Sequence, residues 1–142
     1  MDPREFHRLA SQLVNDTSPA SLCTAISRAY YASYNVAVGL LEDLGFRISK
    51  GPAGHGEVQH RLSNSEDTEV MQVGSQLTDL HSRRIQADYR LDRTDVENVK
   101  TARALVEQAR RMIHTLDSCR SEPRRTQITT AIQNWEHKVS GS

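Results

Sequence analysis

Ser27-Arg28-Ala29-Tyr30-Tyr31-Ala32-Ser33-Tyr34-Asn35 holds three of the chain's four tyrosines and sets an arginine and an asparagine seven residues apart. Seven residues make about two turns of α-helix, so Arg28 and Asn35 share a face. Around them Leu22, Ala25, Ile26, Ala29, Ala32 or Ser33, Val36, Ala37, Leu40, Leu41 and Leu44 recur at helical spacing. The stripe begins after the start signal Ser18-Pro19 and ends at Gly45, which predicts a long, apolar, central helix. Its small residues admit close neighbours. Its tyrosines supply most of the aromatic area in a chain with two Phe and one Trp.

Upstream, Asp2 and Pro3 predict a capped helix start, with Glu5 reaching back, and Phe6, Leu9, Ala10, Leu13 and Val14 predict a helix to about Asn15. Downstream, Ser49-Lys50-Gly51-Pro52-Ala53-Gly54 reads as a loop, followed by a short helix from about Gly56 to Leu62. Ser63 to Asp67 reads as a turn and cap. Val70, Val73, Leu77, Leu80, Ile85 and Ala87 then outline a helix continuing to about Arg90. Thr94 caps a strong helix with Val96, Val99, Ala102, Leu105, Val106, Ala109, Met112 or Ile113 and Leu116 on its face. After Glu122-Pro123, a weaker segment from Thr126 to Val139 forms a last helix around Ile128, Ile132 and Trp135. With no strand alternation and no long internal repeat, the class is all-α, an antiparallel helical bundle of five or six helices. Residues 1–119 form the bundle, and 120–142 a C-terminal linker with an extra helix.

Length and composition narrow the function classes. A 142-residue chain can bury about 68–70% of its unfolded surface around one core without a staple. Lys plus Arg and Asp plus Glu balance at 18 each, so any contact with nucleic acid must come from a local patch. Cys23 and Cys119 lie far apart without CxxC spacing, as ordinary thiols in a reducing compartment do. No 18-residue apolar run and no leader pattern occurs, which predicts a soluble cytoplasmic protein with no membrane association.

Polar residues that do not fit a purely solvated face fall in three places: Arg28 and Asn35, His55 in the glycine-rich loop, and Arg83 to Tyr89 near the end of the fourth helix. Arg84 and Asp88 stand four apart, as an intrahelical ion pair would. His55, Glu57 and His60 do not have His-Glu-x-x-His spacing, and a five-residue gap turns the two rings to different sides of a helix, so no metal site is expected. Gly51, Gly54 and Gly56 lack the strand and lysine of a phosphate loop, and no cofactor is expected. Arg120, Arg124 and Arg125 read first as a solvated linker and second as a phosphate or partner contact.

Taken in order, Arg28-Ala29-Tyr30-Tyr31-Ala32, His55-Gly56-Glu57-Val58 and Arg84-Ile85-Gln86-Ala87-Asp88-Tyr89 resemble three signatures of small prokaryotic HEPN-domain proteins. The resemblance covers about residues 5 to 118. It implies a helical homodimer, with Tyr30, Tyr31 and Tyr34 at the dimer interface and Arg28, Asn35, Arg84 and Tyr89 lining a ligand-binding cleft. It also implies a toxin–antitoxin or phage-defence setting, with a nucleotidyltransferase-type antitoxin or RNA as partner. The family's metal-independent ribonucleases use an arginine followed, after four to six residues, by a histidine. No arginine in this chain has a histidine at that spacing. The leading expectation is therefore a non-catalytic module binding RNA, a nucleotide or a protein. The alternatives are a divergent ribonuclease, with catalytic candidates Arg84, Asp88, Tyr89 and His55, and a structural helical subunit.

Overall fold

Local start and stop signals act where the helices begin and end. The computed structural model describes residues 2–15, 18–89 and 96–141, with side chains at all of these positions but 19, 87–89 and 96–98. Among them are six helices and no strand: α1 (Arg4–Leu13), α2 (Pro19–Asp43), α3 (Ala53–Ser63), α4 (Thr68–Tyr89), α5 (Val96–Ser118) and α6 (Arg124–Ser140). The chain is an all-α helical bundle. No helix among the described residues is long and apolar enough to cross a membrane.

At the start of α1, Asp2 Oδ1 accepts the Arg4 N–H at 3.0 Å. Ser18 Oγ accepts the Ser21 N–H at 3.3 Å, with Pro19 as the first residue of α2. That helix stops because Gly45 enters the left-handed region at φ 102°, which a side chain would strain. The Gly45 N–H then reaches the Glu42 carbonyl at 3.0 Å and the Phe46 N–H the Leu41 carbonyl at 2.9 Å. Two carbonyls at the helix end are thereby satisfied, and Phe46 folds back beside Leu41 with both side chains buried. Asp67 Oδ1 caps α4 by accepting the Val70 N–H at 3.1 Å. The expected Thr94 cap and the expected extension to Arg90 lie outside the described residues.

The central position of α2 follows from its stripe. It packs against α1, α3, α4 and α5, and Leu22, Ala25, Ala29, Ala32, Val36, Ala37, Leu40, Leu41 and Leu44 are buried, with Ile26 partly so. Opposing them are Val58 and Leu62 of α3, Val70, Val73, Leu77 and Leu80 of α4, and the face of α5 from Ala102 to Leu116. Ile85, which the spacing assigned to the same apolar row of α4, is 44% exposed.

The segment beyond Cys119 carries α6, which places Ile128 and Ile132 in this same core. Ion pairs hold its first turn. Arg124 donates from Nε and Nη2 to the Asp67 carboxylate at 2.7 and 2.8 Å, and Arg125 donates to the Asp43 carboxylate and carbonyl at 2.6 and 3.0 Å. Arg120 lies 3.6 Å from the same Asp43 carboxylate. The arginines read as a solvated linker thus fasten α6 to the end of α2 and the start of α4. Their acid partners lie some fifty to eighty residues away in sequence, beyond the reach of local spacing.

Candidate functional site

The aromatic stretch of α2 meets α3 and α4 in a cluster of rings. Tyr30, only 4% exposed, lies with its centroid 5.7 Å from Tyr34, 5.6 Å from Tyr31, 5.9 Å from His55 and 4.9 Å from His81. The imidazoles of His55 and His81 stack on each other at 4.3 Å, with 26° between their planes. Beside them the Arg84 guanidinium sits over the Tyr31 ring at 4.8 Å and the Tyr30 ring at 5.4 Å, a cation–π arrangement.

Sequence had put His55 in the glycine-rich loop. It belongs instead to the first turn of α3, which begins at Ala53. Two contacts bring that turn in early and close. Glu57 accepts from the Ser49 N–H at 2.7 Å and from the Ser49 hydroxyl at 2.6 Å, tying the preceding loop to the helix. Gly54 packs so tightly that a Cβ there would stand 2.5 Å from the Ser49 carbonyl oxygen and 2.5 Å from Tyr34 Oη. Only the hydrogen of glycine lets α3 approach Tyr34 this far, and His55 is the next residue.

Hydrogen bonding and burial define the protonation states. Tyr30 Oη and His55 Nδ1 are 3.0 Å apart. Burial, reinforced by Tyr34, pushes the Tyr30 phenol up to about 12 against the pull of Arg84, so its proton stays on. In this buried position that proton needs an acceptor. We assign Tyr30 as donor to Nδ1, which leaves His55 with its proton on Nε2. Burial, then the neighbouring His81, lowers the His55 pKa below its ordinary value. Burial, then the Arg84 charge, does the same for His81. Both rings are neutral near pH 7. His81 Nδ1 and Arg84 Nε are buried with no hydrogen-bond partner among the described residues. Burial and the Glu57 charge also raise the Tyr34 phenol.

Of the other residues singled out from sequence, Tyr30, Tyr31 and Tyr34 belong to the cluster, and the rest sit elsewhere or outside the described set. Arg28 stands over the Phe6 ring of α1 at 5.5 Å. Asn35 donates from Nδ2 to the Tyr31 carbonyl at 2.7 Å. Tyr30 is covered within the single chain, while Tyr31 and Tyr34 are partly buried against the core. Asp88 and Tyr89 lie in the last turn of α4, and their side chains are outside the described residues. His60 lies near Trp135 of α6, with ring centroids 6.4 Å apart, and takes no part in the cluster.

Sequence reasoning missed His81. The signal was present: His81 directly follows Leu80 on the buried side of α4 and precedes Arg84 by three residues, the spacing of side-chain neighbours on a helix. Here the histidine precedes the arginine, the reverse of the family's order. Chemically, the cluster offers two neutral imidazoles able to accept or donate a proton, a guanidinium able to bind an oxyanion, and aromatic faces. An open groove of about 330 Å³ between α4 and α5, lined by residues including Glu69, Gln76 and Arg111, contains none of these histidines. Compared with known protein families, curated proteins and solved structures, the chain matches none.

Proposed function

We propose that this chain is a HEPN-like dimeric module that binds RNA through the Tyr31, His55, His81 and Arg84 cluster, in a toxin–antitoxin or phage-defence setting. A nucleotidyltransferase-type antitoxin is the protein partner that this reading implies. One observation carries it: the guanidinium of Arg84 stands on aromatic rings beside two stacked imidazoles, with no carboxylate bonded to it among the described residues. Single-stranded RNA is recognised by such surfaces, where arginine meets phosphate and flat rings receive bases. The overall charge balance leaves this local patch to supply the attraction. Fluorescence anisotropy with a short single-stranded RNA tests the assignment. Binding is expected at low salt, weakening as salt rises, and Arg84→Ala is expected to lower affinity tenfold or more. Unchanged affinity in that variant removes the site.

A second reading, metal-independent RNA cleavage, is favoured by the histidine pair. Transfer of the 2′-hydroxyl proton and protonation of the leaving oxygen need a base and an acid titrating near neutrality, and a cation for the developing charge. His55, His81 and Arg84 are groups of those kinds. Incubation of the purified protein with RNA in the presence of a chelator distinguishes the readings. Products ending in a 2′,3′-cyclic phosphate, lost in His81→Gln, support cleavage; intact RNA at saturating protein supports binding alone.

A further inference from the structure

We propose that the His55, His81 and Arg84 cluster binds a phosphate monoester dianion, Arg84 supplying one positive charge and the stacked imidazoles taking up one proton to supply the second. The inference deepens the RNA-binding reading by naming the group at the site as a terminal phosphate, from a nucleotide or an RNA 5′ end.

The argument is one of geometry and charge matching. Around the pair stand Tyr30, Tyr31 and Tyr34 from α2, Glu57 from α3 and Arg84 from α4. Burial raises the Tyr30 and Tyr34 phenols, which carry no charge near neutrality. Both oxygens of Glu57 are engaged by Ser49. Among the described residues no carboxylate bonds either imidazole or Arg84. Among the described residues, a proton on either ring therefore meets another ring at 4.3 Å and a guanidinium one helical turn away, with no bonded acid to offset it. Two such protons at once would set three positive charges side by side, so the pair accepts one at most.

A dianion reverses this balance. One arginine offsets half of its charge, and an imidazolium offsets the rest. Protonation also fits the hydrogen-bond pattern: Tyr30 donates to His55 Nδ1, so a proton gained by the pair has its natural place on His81, which has an unpartnered ring nitrogen. A phosphodiester carries a single negative charge and needs no such proton. The monoester is thus the better match.

Calorimetric titration of the full chain tests this with three probes: AMP, a short single-stranded RNA bearing a 5′-phosphate, and the same RNA with a 5′-hydroxyl. Measurements in phosphate-free buffers of different ionisation enthalpy give the protons taken up. Near pH 7 the 5′-phosphorylated RNA is expected to bind at least tenfold tighter than its hydroxyl twin, with uptake approaching one proton. Affinity should fall by up to about tenfold per pH unit above neutrality. Histidine-resolved NMR titration of the wild-type protein, with and without AMP, reads the same proton without any variant. Equal affinity for the two RNAs, or binding without proton uptake, overturns the inference and leaves RNA binding standing. AMP binding with uptake and no RNA binding supports the inference and overturns the RNA reading. No binding of any probe overturns both.

Discussion

Arginines at two places in this bundle are used in opposite ways. Where α6 docks, Arg124 meets Asp67 with two hydrogen bonds, and Arg120 and Arg125 converge on Asp43. Where α2, α3 and α4 meet, Arg84 lies on tyrosine rings beside stacked histidines, with a buried Nε that no described residue bonds. The first set is accounted for by the fold, since each guanidinium faces a carboxylate that fixes a helix end. In the second, aromatic faces stabilise a cation only weakly, and no described residue fills the hydrogen bond of its buried Nε. An arginine held on rings is in place to receive an anion.

The largest consequence concerns the matched side. Asp67 both caps α4 and receives Arg124. Asp67→Ala should cost about 2–3 kcal/mol in urea unfolding, combining a lost cap of about 1 kcal/mol with lost charged hydrogen bonds. Asp67→Asn retains a capping oxygen and should recover about 1 kcal/mol of that loss. RNA affinity at the distant cluster should not change in either variant under conditions where both are folded. A parallel loss of affinity would mean that the two regions are coupled.

Gly54→Ala attacks the unmatched side through its scaffold. The added methyl collides with the Ser49 carbonyl oxygen and with Tyr34 Oη, and Glu57 ties the Ser49 backbone and hydroxyl in place. A cost of about 1–3 kcal/mol is expected. Unlike Asp67→Ala, this change should also weaken RNA binding, because α3 must back away and carry His55 with it. Full affinity in a destabilised Gly54→Ala protein would separate His55 from the site.

The contrast also explains what could be read from the chain alone. The apolar stripe of α2, the stop at Gly45 and the turn at Ser63 to Asp67 are local signals, each set by residues within a few turns of one another, and they give the all-α bundle. Arg84 stood out as a polar position near the end of α4, but its spacing to Asp88 reads as an intrahelical ion pair, and only the resemblance of Arg84 to Tyr89 to a family signature made it a binding candidate. The stack of His55 on His81 was not legible, because it depends on a 26-residue separation being closed by α3 turning back along α4. The position of His55 in a helix was hidden by the glycines around it, whose low helix propensity is overridden by the close packing that Gly54 permits. The ion pairs of α6 were hidden by distance along the chain in the same way.

Arg84→Ala should have a smaller effect on stability than either preceding change. The side chain loses cation–π contacts of about 0.5–1 kcal/mol at a partly exposed site, while one unmatched charge beside two imidazoles is removed. A net change within about 1 kcal/mol is expected in urea unfolding, together with the tenfold or greater loss of RNA affinity. If Arg84→Ala destabilises the protein as much as Asp67→Ala, the distinction between matched and unmatched arginines fails.

The smallest effect, and the one that resolves the two regions without altering the matched side, is the dependence of stability on pH. The folded pKa values of His55 and His81 are lowered from 6.5, so as pH falls through about 6.5 the unfolded chain binds more protons than the folded one. Stability therefore declines from about pH 6.5 downward and levels off below the folded values. Asp67 and Asp43 are lowered from 3.8, each first by its arginine hydrogen bond. Their contribution persists until pH falls to about 3.8 and is lost as their folded values are passed. Urea midpoints measured across this range should show an upper step belonging to the cluster and a lower one belonging to the ion pairs. Replacing both histidines with glutamine should flatten the upper step and leave the lower step in place. An upper step that survives the double substitution would show that the pair is not the group being titrated, and would remove the proton store that the cluster needs to match a dianion.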